Sequence, residues 1–261
     1  MRLRVFCNSA STRVRGPSLN PRKMNPAAAA APIPFPVDLP LVREYFPELG
    51  EGVVGQLVEL ARCILDWNTR INLISRKDAA HIEEHHILHA LTLTKVLRPP
   101  PAVASEGSSM PSASFADLGT GGGFPGLVLA ICYPQCRFTL VDSVGKKIAA
   151  VGEIARELGL KNVDARAQRA ETISQKFDYV TGRAVTALPT FLGWARPLLK
   201  KDSLSRAEAE PSANGGVYYF KGTLWREELA GGAWQPSSLW PLDKWIPRPF
   251  FAEKFLLHFA R

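Results

Sequence analysis

Apolar side chains return every three or four positions between residues 54 and 67. Val54, Leu57, Val58, Ala61, Ile64, Leu65 and Trp67 fall near one stripe, the period of an amphipathic helix. The segment 72–77 reads as a turn. Asp78 then stands where a helix cap belongs, and Ile82, Ile87, Leu88, Leu91, Leu93 and Val96 carry a second helix to the stop at Pro99, Pro100 and Pro101. Residues 41–98 therefore read as helical. From residue 115 the pattern changes. Short apolar runs at 115–118, 137–141, 163–165 and 177–181 alternate with helical stretches, the clearest being "GKKIAAVGEIARELGL", which ends at Gly159–Leu160. Strand–helix alternation with short links predicts a doubly wound, mostly parallel sheet covered on both faces, with an N-terminal helical extension. "VYYFKG" and "EKFLLHFAR" read as the last strands, an antiparallel hairpin at the sheet edge. No internal repeat occurs.

Composition refines this layout. The 261 residues are 46% hydrophobic, enough for one domain with an extension or for two small ones. No apolar run of 18 residues occurs, so no membrane partner is expected. The net charge of +8 suggests nucleic acid, but Arg2, Arg4, Arg13, Arg15, Arg22 and Lys23 all precede the first carboxylate, Asp38. Those six charges leave +2 for the rest. A leader rich in Arg, Ser, Ala and Pro and free of acids has the composition of an organelle transit peptide, and the alternative is a disordered basic tail. The expected divisions are a leader and linker over 1–37, a helical region over 38–100, a flexible loop over 101–114 and an α/β domain over 115–261. A second polar loop spans "KKDSLSRAEAEPSANGG". The four cysteines, Cys7, Cys63, Cys132 and Cys136, form no C-x-x-C pair and carry no assigned chemistry.

The segment "FADLGTGGGFPGLVLA", 115–130, holds Gly119, Gly121, Gly122, Gly123 and Gly126. It follows a strand, opens a helix and satisfies G-x-G-x-x-G at Gly121, Gly123 and Gly126. Such a loop turns backbone N–H groups and a helix N-terminus toward an electronegative group, although a tight strand–helix turn can need glycine for steric reasons alone. A triphosphate loop requires a lysine after the last glycine, which is absent. Asp142 ends the second strand 21 positions after Gly121, where a ribose-binding acid belongs. Both nicotinamide dinucleotides and S-adenosylmethionine present a ribose diol. Asp117 favours the second, because a carboxylate at that strand end suits an ammonium and a sulfonium better than a pyrophosphate.

The acceptor is read from the segment after the fourth strand. "TGRAVTALP" lacks the Asn/Asp-Pro-Pro-aromatic loop of exocyclic-amine methylation, and no cysteine stands ready to add to a pyrimidine. Guanine N7 carries its own lone pair and needs no base, so proximity and alignment suffice. The chain resembles the small-subunit ribosomal RNA guanine-N7 methyltransferases, the glucose-inhibited division protein B family, also named ribosomal RNA small subunit methyltransferase G. "DWNTRINLISRKD", "HHILHALTL", "FADLGTGGGFPGLVLAICYPQCRFTLVDSVGKK", "RAE", "TGRAVTAL" and "YYFKG" follow that family's blocks in order and spacing, over roughly residues 57–221.

The resemblance implies a Rossmann-like class I S-adenosylmethionine-dependent methyltransferase. It places Gly119 and Gly121 along the methionine part of the cofactor with Phe124 beside it, Asp142 on the ribose, and Ala170 and Glu171 beside the adenine. Arg183 is implied at the face between cofactor and substrate, where it could grip a phosphate or orient the guanine. The bland alternative is an ion pair under the sheet. Arg76, Lys146, Lys147 and Lys221 are candidate RNA backbone contacts, each against the alternative of a solvated charge. The implied partner is small-subunit rRNA or an assembling small subunit, met by a monomer in an organelle, the plastid stroma ahead of the mitochondrial matrix, or in the cytoplasm if the leader is not a transit peptide. A small-molecule or protein methyltransferase, a non-enzymatic ribosome-binding module and a dehydrogenase stay open. One departure stands out: the family's Asp-Ser pair is His89-Ala90 here. His81, His85 and His89 share i, i+4, i+8 spacing and one helix side, with His86 adjacent. No carboxylate or cysteine is placed to complete a metal site, so surface or helix-packing roles are favoured and no metal is expected.

Overall fold

The computed structural model describes residues 38–97, 113–201 and 215–260. The expected leader, most of the loop over 101–114 and most of the second polar loop lie outside these residues. Seven strands form one sheet in the order β3-β2-β1-β4-β5-β7-β6. They are β1 (Ser114–Leu118), β2 (Arg137–Asp142), β3 (Val163–Ala167), β4 (Tyr179–Arg183), β5 (Gly216–Lys221), β6 (Ser238–Pro241) and β7 (Phe255–Ala260). The first five are parallel, and β7 is antiparallel to both β5 and β6. The last two expected strands are therefore neighbours but not a hairpin. The chain between them builds β6, which forms the true edge.

Strand residues alternate between two cores. Phe115 faces one side and stacks on its register partners Phe138, at 4.7 Å, and Tyr179, at 4.4 Å. That face is covered by α2 (Glu51–Asn68), α5 (Gly126–Cys132) and α6 (Gly145–Glu157). Ala116 and Leu118 face the other side, with Val180, Val217 and Phe259, under α7 (Leu188–Ala195) and α8 (Trp225–Leu229). Helix α2 buries Val54, Leu57, Leu60, Ala61, Cys63, Ile64 and Leu65, close to the expected stripe; Val58 and Trp67 are half-buried. The regions expected as 38–100 and 115–261 share this first core.

The N-terminal layer differs from its reading in two ways. Ser75, not Asp78, caps α3 (Arg76–Ala79): its Oγ accepts from the Asp78 N–H at 3.1 Å and donates to Asp78 Oδ2 at 2.6 Å. The next turn, Glu83–Leu88, is π-helical, before the short α4 (His89–Leu91). A further helix, α1 (Pro40–Tyr45), precedes them all. Its orphan N–H groups at Leu41 and Val42 donate to Glu83 Oε1 at 2.6 and 3.0 Å, a cap supplied from a distant residue. Among the described residues, no helix is long and apolar enough to cross a membrane.

Candidate active site

Gly126 opens α5 where a Cβ would lie 2.1 Å from Leu140 and 2.9 Å from Asp117 Oδ2. Its N–H can therefore donate to that carboxylate at 3.0 Å. Gly119, at φ +68, turns its backbone against Val185, whose side chain a Cβ would meet at 2.7 Å. Asp142 joins the loop to β2. Its Oδ2 accepts from the Gly121 N–H at 3.0 Å and its Oδ1 from the Val144 N–H at 2.8 Å. Each oxygen keeps a lone pair for a ligand hydroxyl.

These segments wall a cleft of about 480 Å³ at the C-terminal ends of the parallel strands, where open α/β sheets bind their ligands. Gly119, Gly121, Phe124, Asp142, Ala170, Glu171 and Arg183 all line it, as does Lys147. Asp117 does not, which corrects its reading as a cofactor contact. It is 1% exposed, and its carboxylate accepts from Thr120 Oγ1 at 2.7 Å, Gly126 N and Thr181 Oγ1 at 3.0 Å. Burial pushes its pKa up to about 6 against the lowering effect of those donors and of Arg183. Asp117 is thus a brace beneath the loop.

The RNA candidates divide. Arg76 and Lys146 are exposed, and Lys147 turns into the cleft. Lys221 corrects its reading as a free backbone contact: its Nζ pairs with Glu228 Oε1 at 2.6 Å, and Oε2 of the same carboxylate accepts from the Leu188 N–H. The lysine joins β5 to α8 and α7.

Residues that the sequence reading did not select complete the cleft. Leu73 and Ile74 line it, held by Asn68 Oδ1, which accepts both of their N–H groups at 2.8 and 3.0 Å. Trp194 reaches it from α7, and His86 from the π-helical turn. The resemblance blocks "NLIS" and "HHILH" were the available signal for three of these four. Arg183 extends from β4 into this layer. Its Nη1 donates to the His85 carbonyl at 3.0 Å and its Nη2 to His86 Nδ1 at 2.8 Å. Its guanidinium lies 5.5 Å from the Phe124 ring centroid, and desolvation lowers its pKa to about 10. Ala184, the next residue, sits at φ 54, a conformation that costs a side-chain-bearing residue about 1 kcal/mol or more.

The histidines separate by face. His81 stacks on His85 at 4.8 Å, His85 on Phe250 at 3.9 Å, and His89 meets Phe220 edge-on at 4.4 Å. His86 faces Phe124 instead, at 5.0 Å. Among the described residues no group of three His, Cys, Asp or Glu side chains is placed to hold a metal.

A loop, an acid at the end of β2 and a β4 arginine around one cleft agree with the family read from the sequence. The family model for GidB, rRNA small subunit methyltransferase G, matches residues 54–207. The chain belongs to this family. The enzyme of that name from Christiangramia forsetii is 34% identical over 220 residues, 84% of this chain and 96% of that protein. The one from Flavobacterium johnsoniae is 36% identical over 217 residues, 83% and 95% of the two. A solved structure of MtNAS in complex with S-adenosylmethionine is similar at a TM-score of 0.45 and 15% identity, over 85% of this chain and 77% of that one. This GidB-family chain is a methyltransferase with the seven-stranded, mostly parallel class I fold, and S-adenosylmethionine is its methyl donor. The cleft suits that group: open backbone at Gly121, a carboxylate with free lone pairs at Asp142, and an aromatic ring at Phe124.

Proposed function

We propose that this chain methylates N7 of a guanine in small-subunit ribosomal RNA of an organelle ribosome. The observation that carries the acceptor is the makeup of the cleft. Among the described residues lining it there is no cysteine, and its carboxylates, Asp142 and Glu171, stand at the end of β2 and just after β3. The acceptor side is formed by Phe124, Arg183, His86, Leu73 and Ile74. His86 is no base: Arg183 occupies its Nδ1, and burial with the nearby guanidinium lowers its pKa to about 3. An acceptor that must lose a proton finds nothing there to take it. Guanine N7 loses none, so holding it in line with the methyl supplies the acceleration.

S-adenosylmethionine supplies an electrophilic methyl group on a sulfonium. In this reading Gly119 and Gly121 border its methionine part with Phe124, Asp142 accepts from the ribose hydroxyls, and Ala170 and Glu171 flank the adenine. Arg183 shapes the boundary between cofactor and base. Arg76 and Lys146 meet the RNA backbone from the rim. The +2 charge beyond the leader supports modest affinity for bare RNA and a preference for the assembling subunit, engaged by a monomer. The acid-free leader supports an organelle, the plastid ahead of the mitochondrion.

Mapping 7-methylguanosine in organellar and cytosolic small-subunit rRNA, with and without the protein, tests the reading. One modified guanine should disappear from the organellar rRNA alone, and an unchanged map overturns the proposal. Replacing Asp142 by Ala should weaken cofactor binding about tenfold or more in calorimetry, the loss of hydrogen bonds to a charged acceptor. Unchanged affinity would show that the ribose lies elsewhere.

A further inference from the structure

One polar atom at the cleft has no use in the fold. Arg183 can only donate hydrogen bonds, so its 2.8 Å contact with His86 Nδ1 makes that nitrogen the acceptor. The imidazole is therefore neutral and carries its proton on Nε2. The ring is fixed from two sides, by Arg183 and by Phe124 at 5.0 Å. Nε2 is buried and, among the described residues, has no hydrogen-bond partner. His86 itself is 9% exposed and lines the cleft. A buried donor without an acceptor is costly, and this one is oriented by a second residue that also lines the cleft. His89 and His258 carry orphan nitrogens too, but neither borders the cleft.

We propose that the Nε2–H of His86 reads the acceptor base by donating to the O6 of guanine. The inference rests on the N7 reading above and adds the group that chooses the purine. In guanine the N7 and O6 edges are both acceptors, whereas adenine presents a donor amine at position 6. One fixed donor beside the methyl path therefore aligns N7 of guanine and opposes adenine, whose amine would face another N–H. The neutral imidazole also avoids setting a cation against a ring that gains positive charge as the methyl bonds to N7. No proton moves in this step: the N7 lone pair forms the bond to carbon, and the sulfur keeps the electron pair of the bond that breaks. Nε2 is buried in this structure, so the base must displace what packs on the imidazole to reach it, and the Phe124 ring is one of those groups.

The test crosses two enzymes with two bases. Small-subunit rRNA is prepared with guanine or with 2-aminopurine, which lacks O6, at the position the mapping identifies, and kcat/KM is measured for the wild type and for His86→Phe. The wild type should prefer guanine by about tenfold to a hundredfold, the range for a site left with an unpaired donor, and inosine, which keeps O6, should behave as guanine. The His86→Phe variant should lose most of that preference while its affinity for S-adenosylhomocysteine, read by calorimetry, stays within a few-fold. A wild type that does not distinguish guanine from 2-aminopurine overturns the proposal without any variant having to fold. So does a variant that keeps the preference. A wild type that transfers no methyl group to N7 of the target base in either RNA refutes the underlying function instead.

Discussion

Asp117 shows how one carboxylate serves the site without touching it. Its three donors come from the loop, from α5 and from β4, so it ties the glycine loop to the sheet. Burial holds the folded pKa near 6 against 3.8 unperturbed. The sign follows from proton binding. Between these values the folded protein binds the proton more tightly, so the group's contribution to stability is greatest below about pH 4. It declines as pH rises and levels off above 6, by about 3 kcal/mol in all. An Asn in its place can accept from Thr120 and Gly126 and donate to Thr181. Unfolding in urea should therefore show Asp117→Asn gaining on the wild type by about 2 kcal/mol between pH 4 and pH 7. Parallel profiles would show that the carboxyl is not raised. Asp117→Ala strands the same donors and should cost about 2–4 kcal/mol.

At the scale of elements, the cleft depends on the N-terminal layer as much as on the sheet. Asn68, the last residue of α2, holds the backbone that carries Leu73 and Ile74, and a Cβ at Gly122 would come within 3.0 Å of the Leu73 carbonyl. Asn68→Ala should lower stability by about 1–2 kcal/mol and weaken cofactor binding several-fold, seen in thermal unfolding and in calorimetry. An unchanged cofactor affinity would separate this segment from the site. The elements legible in the sequence were those with a persistent period or an unbroken apolar run: α2, α6, the four leading parallel strands, β5 and β7 as strands though not their connection, and the turn with Asp142 opposite it. Edge strand β6 was not, because its short run follows Pro236 and ends in Pro241, which are turn signals, and shows no alternation. The π-helical turn was not either. Helical wheels assume an α period; they already set His86 off the side shared by His81, His85 and His89, but only the fold reveals that it meets Arg183. Asp117 was misassigned for a related reason: its strand position is visible in sequence, but the direction its carboxylate takes depends on Thr120 and Thr181.

Over the whole molecule, buried histidines set the response to acid. His86 and His89 lie in the N-terminal layer, 9% and 6% exposed, and His258 lies on β7, 2% exposed, stacked on Tyr218 at 4.4 Å. Burial lowers all three, His86 to about 3 and His258 to about 4, from 6.5 unperturbed, and Arg183 adds to the effect at His86 and His89. A lowered histidine stabilises the fold above its unfolded pKa and loses that contribution as pH falls below about 6.5. Asp117 acts in the opposite sense over the same range. Among these four groups, between about pH 4.5 and 5.5 the unfolded chain thus binds three protons that the fold refuses, and the fold binds one that the unfolded chain refuses. The net of two protons makes stability fall by about 3 kcal/mol per pH unit as the solution is acidified. Chemical unfolding should show this slope between pH 4.5 and 5.5 and a shallower one toward pH 7, and a flat profile would mean that the histidines protonate within the fold. Their positions also predict where acid acts first. Amide exchange should accelerate in the π-helical turn and in β7 before it does in β1, β2 and β4, because the charges forced inside lie at the helical layer and at the antiparallel side. The cleft would then lose His86 and the Arg183 contact while the parallel strands that carry the glycine loop still hold.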